Sequence, residues 1–224
     1  MPRIILLSDT HNAHEEISVP DGDILIHAGD ATNGGTIEEI SRFGQWLAAL
    51  PHRHKIFVAG NHDWLFETSP PLARRLLPSQ TIYLQDSAVE IENLRIYGSP
   101  WQPRFFDWAF NLNRGRELAA KWHLIPDDTS VLITHGPPYG ILDAAPRGEL
   151  PDENVGCDDL RRRVEELAEL GGLKLHVFGH IHHSYGSTEK YANRFNRQKG
   201  VIFANASNCN ESYAPVNAPL VFDL

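Results

Sequence analysis

Asp, Asn and His recur in this chain in compact clusters: Asp9-Thr10-His11, Gly29-Asp30, Gly60-Asn61-His62-Asp63, Thr134-His135-Gly136 and Gly179-His180-Ile181-His182. Carboxylate and amide oxygens with imidazole nitrogens, and no thiolate, form a donor set of borderline hardness. Such a set suits Mn, Fe, Zn and similar divalent ions. It is too large for one ion and fits two. A carboxylate must then lie between them, because cations roughly 3.5–4 Å apart need shared negative charge. A pair of this kind shares a water, lowers its pKa, and holds both the attacking and the leaving oxygen of an in-line displacement. The reaction class that needs this arrangement is phosphoryl transfer to water.

Each cluster closes a short apolar run. Ile4–Leu7, Ile24–Ile26, Lys55–Ala59, Val131–Thr134 and Leu175–Phe178 read as buried strands. Ile82–Leu84, Val89–Ile91, Arg95–Tyr97 and Val201–Ala204 add further strands, with Leu220–Phe222 as an edge. Ile37, Ile40, Phe43, Leu47 and Leu50 share one helical stripe, opened by a Thr36/Glu39 capping box and stopped by Pro51. A second helix is expected from Arg114 to Trp122. A third carries Cys157, Leu160, Val164, Leu167 and Leu170 and ends at Gly171-Gly172. Strands alternating with helices give an α/β fold. In α/β sheets ligands bind beyond the carboxyl ends of strands, and a glycine there lets backbone approach closely. The polar tips are therefore expected to converge on one point. The chain has no long linker, repeat or low-complexity stretch, so a single domain spanning residues 1–224 is expected.

Asp-x-His, Gly-Asp, Gly-Asn-His-Asp, Thr-His-Gly and Gly-His-x-His, in this order from residue 4 to about 205, resemble the motif set of the calcineurin-like metallophosphoesterases. The resemblance implies a pair of facing mixed sheets flanked by helices. It also implies a dinuclear centre in which Asp9, His11 and His182 hold one metal, Asn61, His135 and His180 hold the other, and Asp30 bridges. His62 matches the family's non-ligand histidine, which orients the phosphate and protonates the leaving oxygen. The segments Asp23–Asp30, Gly98–Pro103, Lys174–Gly179 and Asn205–Cys209 are similar to the metallophosphoesterase-domain-containing phosphodiesterases of animal brain. That similarity implies hydrolysis of small phosphodiesters, cyclic nucleotides among them, by a metal-bridging hydroxide. Some animal members carry Gly where this chain has His180, so a fully liganded pair of divalent ions, Mn or Fe first and Zn or another next, is expected here.

The rival readings are weaker on specific residues. Ser/Thr phosphatases of the superfamily follow Gly-Asp with a further Asp-Arg-Gly. Here Asp30 is followed by Ala31-Thr32-Asn33-Gly34-Gly35, so a bidentate clamp for a phosphate dianion is missing. A phosphomonoesterase or protein phosphatase is thus second choice, and a non-catalytic scaffold is disfavoured because every ligand is intact. Lys plus Arg number 20 against 29 Asp plus Glu, a formal charge of −9, and Arg161-Arg162-Arg163 faces Glu165-Glu166. That balance argues against a protein that coats duplex nucleic acid. The apolar start, Ile4–Leu7, is too short for a signal-peptide core or a membrane span. Cys157 and Cys209 lack metal or disulfide spacing, which fits a reducing, cytoplasmic compartment. No motif specifies an oligomeric state. Among the aromatic residues from Trp101 to Phe110, Trp101 is the first candidate to stack on a substrate base, with Tyr139 beside His135 second. Asn61 and His62 are the candidate phosphate contacts. His183 follows the last motif and is a minor candidate. His14, His27, His52, His54, His123 and His176 read as structural, with His27 and His176 in strands and bonded to backbone.

Overall fold

The computed structural model describes residues 1–192 and 200–224. Its elements in chain order are β1 (Arg3–Leu7), β2 (Ile24–His27), α1 (Ile37–Ala49), β3 (His54–Phe57), α2 (Leu65–Thr68), α3 (Pro70–Leu76), β4 (Thr81–Tyr83), β5 (Ser87–Ile91), β6 (Leu94–Ser99), β7 (Gln102–Pro103), β8 (Asn111–Leu112), α4 (Arg116–Trp122), β9 (Val131–Thr134), β10 (Ala144–Arg147), β11 (Leu150–Asn154), α5 (Asp158–Leu170), β12 (Leu175–Phe178), β13 (Gly186–Lys190), β14 (Val201–Asn205) and β15 (Leu220–Asp223). Two large mixed sheets form. One has the order β15-β1-β2-β3-β4 and the other β13-β14-β12-β9-β6-β5. In the first, β1 to β4 are parallel and β15 runs antiparallel along β1. In the second, β14, β12, β9 and β6 are parallel, with antiparallel β13 and β5 at the edges.

The strand period of two explains the layering. Ile4, Leu6, Ile24, Ile26 and Ile56 point to one side and meet Ile96, Val131, Ile133, Leu175 and Val177 of the other sheet, making the central core. Their neighbours Ile5, Leu7, Leu25 and Phe57 point the other way, onto Ile40, Phe43, Leu47 and Phe66. On the far side Tyr97, Leu132, Phe178 and Phe203 pack on Leu118, Trp122, Leu160, Val164 and Leu167. Both faces of each sheet are covered, which is why these strands read as unbroken apolar runs.

The capping box at α1 is present: Glu39 N–H donates to Thr36 Oγ1 at 3.2 Å, and Thr36 N–H donates to Glu39 Oε2 at 2.9 Å. Ile37 departs from its expected place in the stripe and is 52% exposed, the buried face beginning at Ile40. α5 ends at Gly171 in the left-handed region, φ 78°. Short α2 and α3, the β7/β8 pair, the exposed β10–β11 hairpin and β13 had no clear sequence signal. Cys157 and Cys209 are both buried and free. No helix among the described residues is long and apolar enough to cross a membrane.

His27 and His176 lie in the strands as expected, but each bonds a threonine hydroxyl at a neighbouring strand tip. His27 Nε2 meets Thr10 Oγ1 at 3.0 Å, and His176 Nε2 meets Thr134 Oγ1 at 2.9 Å. Thr134 Oγ1 donates to the Gly136 carbonyl, and His27 Nδ1 accepts from Gly29 N–H. Both rings are therefore neutral, with the proton on Nε2. Burial holds His176 down at about 3. The unfolded chain takes up that proton first, so the His176 contribution to stability is full well above pH 6.5 and falls as pH drops from there towards 3. Denaturant unfolding of metal-stripped protein is expected to show a His176→Asn variant losing about 1 kcal/mol less than the parent between pH 7 and 5.5. Equal losses would contradict this reading.

Candidate metal centre

The carboxyl ends of β1, β2, β3, β9 and β12 deliver Asp9 and His11, Asp30, Asn61 and His62, His135, and His180 and His182 to one cleft. Two donor groups can each hold a metal ion, Asp9 with His11 and His182, and Asp30 with His135 and His180. A third combination, His11, Asp30 and His62, overlaps both. Asp30 Oδ2 lies 3.3 Å from His135 Nε2 and 3.8 Å from His11 Nε2, between the two groups. His182 Nε2 lies 3.3 Å from Asp9 Oδ1 and 3.3 Å from His11 Nε2. Asn61 Oδ1 is 3.0 Å from His135 Nε2.

The orientation of these rings is fixed from behind. His135 Nδ1 donates to the Ala28 carbonyl at 3.0 Å, and His182 Nδ1 to the Asn210 carbonyl at 2.9 Å. Each leaves its Nε2 aimed into the cluster, the arrangement that prepares imidazole as a ligand. Asp9 accepts from His180 N–H and from Ser207 Oγ–H at 2.9 Å, and Asp30 accepts from His62 N–H at 2.8 Å. The backbone comes this close because Gly60 and Gly179 have no side chain. A Cβ at Gly60 would collide with Asp30, and one at Gly179 with Asp9. Asp9, His11, Asp30 and His180 all adopt left-handed φ, between 42° and 68°, a strain that clusters at functional sites. Behind the loop, buried Asp63 accepts from Gly60 N–H at 2.8 Å and from Thr32 N–H and Oγ–H at 3.1 and 2.8 Å.

The electrostatics show that the cluster demands positive charge. Burial pushes His135 down, but the Asp30 carboxylate and its hydrogen bond overcome it and bring the ring up to about 9. Burial likewise opposes His182, and Asp9 raises it to about 9. Burial raises the Asp30 carboxyl, yet His135, His62 and His11 hold it well below the usual carboxylate range. Burial lowers His11 to about 4, and burial with the nearby His135 lowers His180 to about 3, so both keep free lone pairs. A divalent cation on each group satisfies the same carboxylates that otherwise hold protons on His135 and His182. The donor set and its geometry fit two such ions.

The cleft has a volume of about 230 Å³ and includes His11, Asp30, Asn61, His62, His180 and His182 on its wall, with His183 at its rim. Trp101 and Tyr139 do not line it. Trp101 donates its indole N–H to Asp86 at 2.8 Å, and Lys121 sits over its ring at 4.2 Å, so the ring is spent on packing. Tyr139 is carried outward on the turn whose carbonyl binds Arg161. Of the other aromatic residues, Tyr213 and Phe105 line the cleft, and Trp108 stacks on the cleft residue His62. The Tyr213 ring meets His11 edge-on at 4.5 Å, Trp108 lies 4.1 Å from the His62 ring at 32°, and Phe105 meets His180 edge-on at 6.1 Å. Trp108 and Phe105 belong to the aromatic segment noted in the sequence. Tyr213 lies past the last recognisable motif.

Comparisons with known proteins place the chain in a family. The family model for "Calcineurin-like phosphoesterase" matches residues 2–184. Metallophosphoesterase domain-containing protein 1 of Homo sapiens is 41% identical over 99% of this chain and 71% of its own length, and the Mus musculus protein gives the same values. A UPF0046 protein of Caenorhabditis elegans is 35% identical over 98% of this chain and 74% of its own. The crystal structure of TT1561 of Thermus thermophilus shares the fold, with a TM-score of 0.53 and 14% identity, covering 92% of this chain and 91% of that one. With the family model spanning most of its length and the donor groups gathered at its strand ends, this chain belongs to the calcineurin-like phosphoesterase family.

Proposed function

We propose that the chain is a dinuclear-metal phosphodiesterase of small diesters, cyclic nucleotides among them, at work in a reducing, cytoplasmic compartment. The observation that carries this reading is the position of Asp30, within 3.3 and 3.8 Å of imidazoles from the two donor groups. In this reading Asp9, His11 and His182 would hold one ion and Asn61, His135 and His180 the other, Asp30 would be shared by both, and Mn or Fe would fit the donors best. When bound, the ions supply a nucleophile from water near neutral pH and charge for the phosphoryl oxygens.

The chain's own residues do the rest. His62 Nδ1 donates to the Asn33 carbonyl at 2.8 Å, so its Nε2 faces the cleft and gives a proton to the leaving oxygen. The Asn33 segment is itself held by Glu39, which accepts from Asn33 N–H and Gly34 N–H at 3.3 Å while capping α1. Asn61 turns its amide oxygen to His135 and leaves its amide nitrogen for a phosphoryl oxygen. Diesters are favoured over monoesters because no Lys or Arg lines the cleft among the described residues, whereas Glu211 does. A singly charged diester tolerates that wall better than a phosphate dianion. After Asp30, the Ala31 and Thr32 N–H groups both go to Asp63, so that loop offers no anion clamp.

With Mn-loaded protein and a chromogenic aryl phosphodiester, Asp30→Ala is expected to reduce turnover to the background rate. Parent turnover no faster than that variant would end the proposal. His62→Ala is expected to keep its metals by elemental analysis and lose about 10²- to 10⁴-fold in kcat. Metal loss in that variant would show His62 to be a ligand instead. Trp108→Ala, which frees the His62 ring, is expected to lower kcat about 3- to 10-fold with metal content kept, while Trp108→Phe restores most of it. An unchanged kcat in Trp108→Ala would remove the stacking from the mechanism.

A further inference from the structure

A second pocket of about 300 Å³ adjoins the metal cleft. Phe105, Ala145, His180 and Ile181 line both spaces. A group bound at the donor cluster is therefore one side chain away from this pocket. Its remaining wall is mostly apolar, with Pro103, Pro137 and Val155, and it contains two guanidinium groups, Arg104 and Arg114. The two arginines differ. Arg114 is committed to the protein, donating to the carbonyls of Gly156 at 2.6 Å and Val155 at 2.7 Å. Among the described residues Arg104 pairs with Asp107 at 3.8 Å, and both side chains are more than half exposed, so that pair holds it weakly; Glu117 is a further carboxylate that feels its charge. The backbone of Arg104 is nonetheless fixed, its N–H donating to the Leu112 carbonyl at 2.9 Å in the β7/β8 pair.

An apolar slot with one wall of aromatic ring and prolines, one pinned guanidinium and one available guanidinium suits a flat, polarisable ring with hydrogen-bonding edges. An aliphatic chain would leave Arg104 unused, and a peptide would need far more surface than this volume offers. We infer that the pocket lined by Phe105, Pro137, Val155 and Arg104 beyond His180 binds the planar ring of the ester's organic group, a nucleobase or an aryl ring of similar size. This deepens the phosphodiesterase reading and rests on it for the position of the phosphate. It also relocates the stacking surface that the sequence placed at Trp101.

The test is equilibrium binding by calorimetry to the metal-loaded full chain, with AMP and ribose 5-phosphate as probes, which differ by the base alone. AMP is expected to bind at least tenfold more tightly. Val155→Trp, which fills the pocket without entering the metal cleft, is expected to abolish that difference and leave ribose 5-phosphate affinity unchanged. Phe105→Ala, at an exposed position and so safe for folding, is expected to weaken AMP about 3- to 10-fold. Equal affinities for the two probes in the parent, or an AMP preference untouched in both variants, would overturn the inference. A base preference in a chain that hydrolyses no diester would sink the phosphodiesterase reading and leave the pocket standing. Diester hydrolysis without base preference would do the reverse.

Discussion

Two buried carboxylates, Asp9 and Asp30, govern this structure. A charged carboxylate deep in a protein is costly unless it is paired and fully hydrogen-bonded. Here the compensation comes from every direction: backbone N–H groups of His180 and His62, the hydroxyl of Ser207, and the imidazoles of His11, His135 and His182. That requirement brings the tips of five parallel strands from two separate sheets to one place. The parallel arrangement puts all the carboxyl ends on one edge, and the central apolar core fixes how far apart the two sheets stand. A displacement of one sheet relative to the other would break the pairs between Asp30 of the first sheet and His135 of the second.

The supports behind the ligands follow the same logic in both sheets. His27 lies among Phe43 and Phe57 and braces Thr10, which stands between Asp9 and His11. His176 lies among Phe178 and Phe203 and braces Thr134, next to His135. Each sheet thus uses a neutral histidine, buried on its helix-facing side, to hold the strand tip that carries a ligand. Asp63 and Glu39 do the equivalent for the loops after Asp30 and Gly60, tying backbone donors so that His62 and Asn61 keep one orientation. The left-handed φ of Asp9, His11, Asp30 and His180 persists because this network over-determines it.

Much of this was legible in the residues. The ligand-bearing segments are short in sequence, and each couples a donor to an apolar run whose type and length announce a buried strand. Helices α1 and α5 declared themselves by stripe, cap and stop. What escaped reading depends on long-range placement. Tyr213 reaches His11 only because the loop after β14 folds back over the cleft. Trp101 and Trp108 lie in one aromatic segment, and nothing in their spacing says which packs under Lys121 and which stacks on His62. The β10–β11 hairpin is exposed and carries no burial pattern to announce a strand, yet its Ala145 borders both the metal cleft and the adjoining pocket. Substrate contacts are set by such loops, and ligands by strand ends, so the second set is the readable one.

Magnetic resonance reads directly whether one carboxylate, Asp30, lies between two cations. The electron paramagnetic resonance spectrum of chain loaded with two equivalents of Mn²⁺ is expected to show an exchange-coupled pair, as for ions about 3.5–4 Å apart, and Asp30→Asn is expected to lose that coupling. A spectrum of isolated Mn²⁺ in the parent, or coupling that survives in Asp30→Asn, would contradict the shared centre.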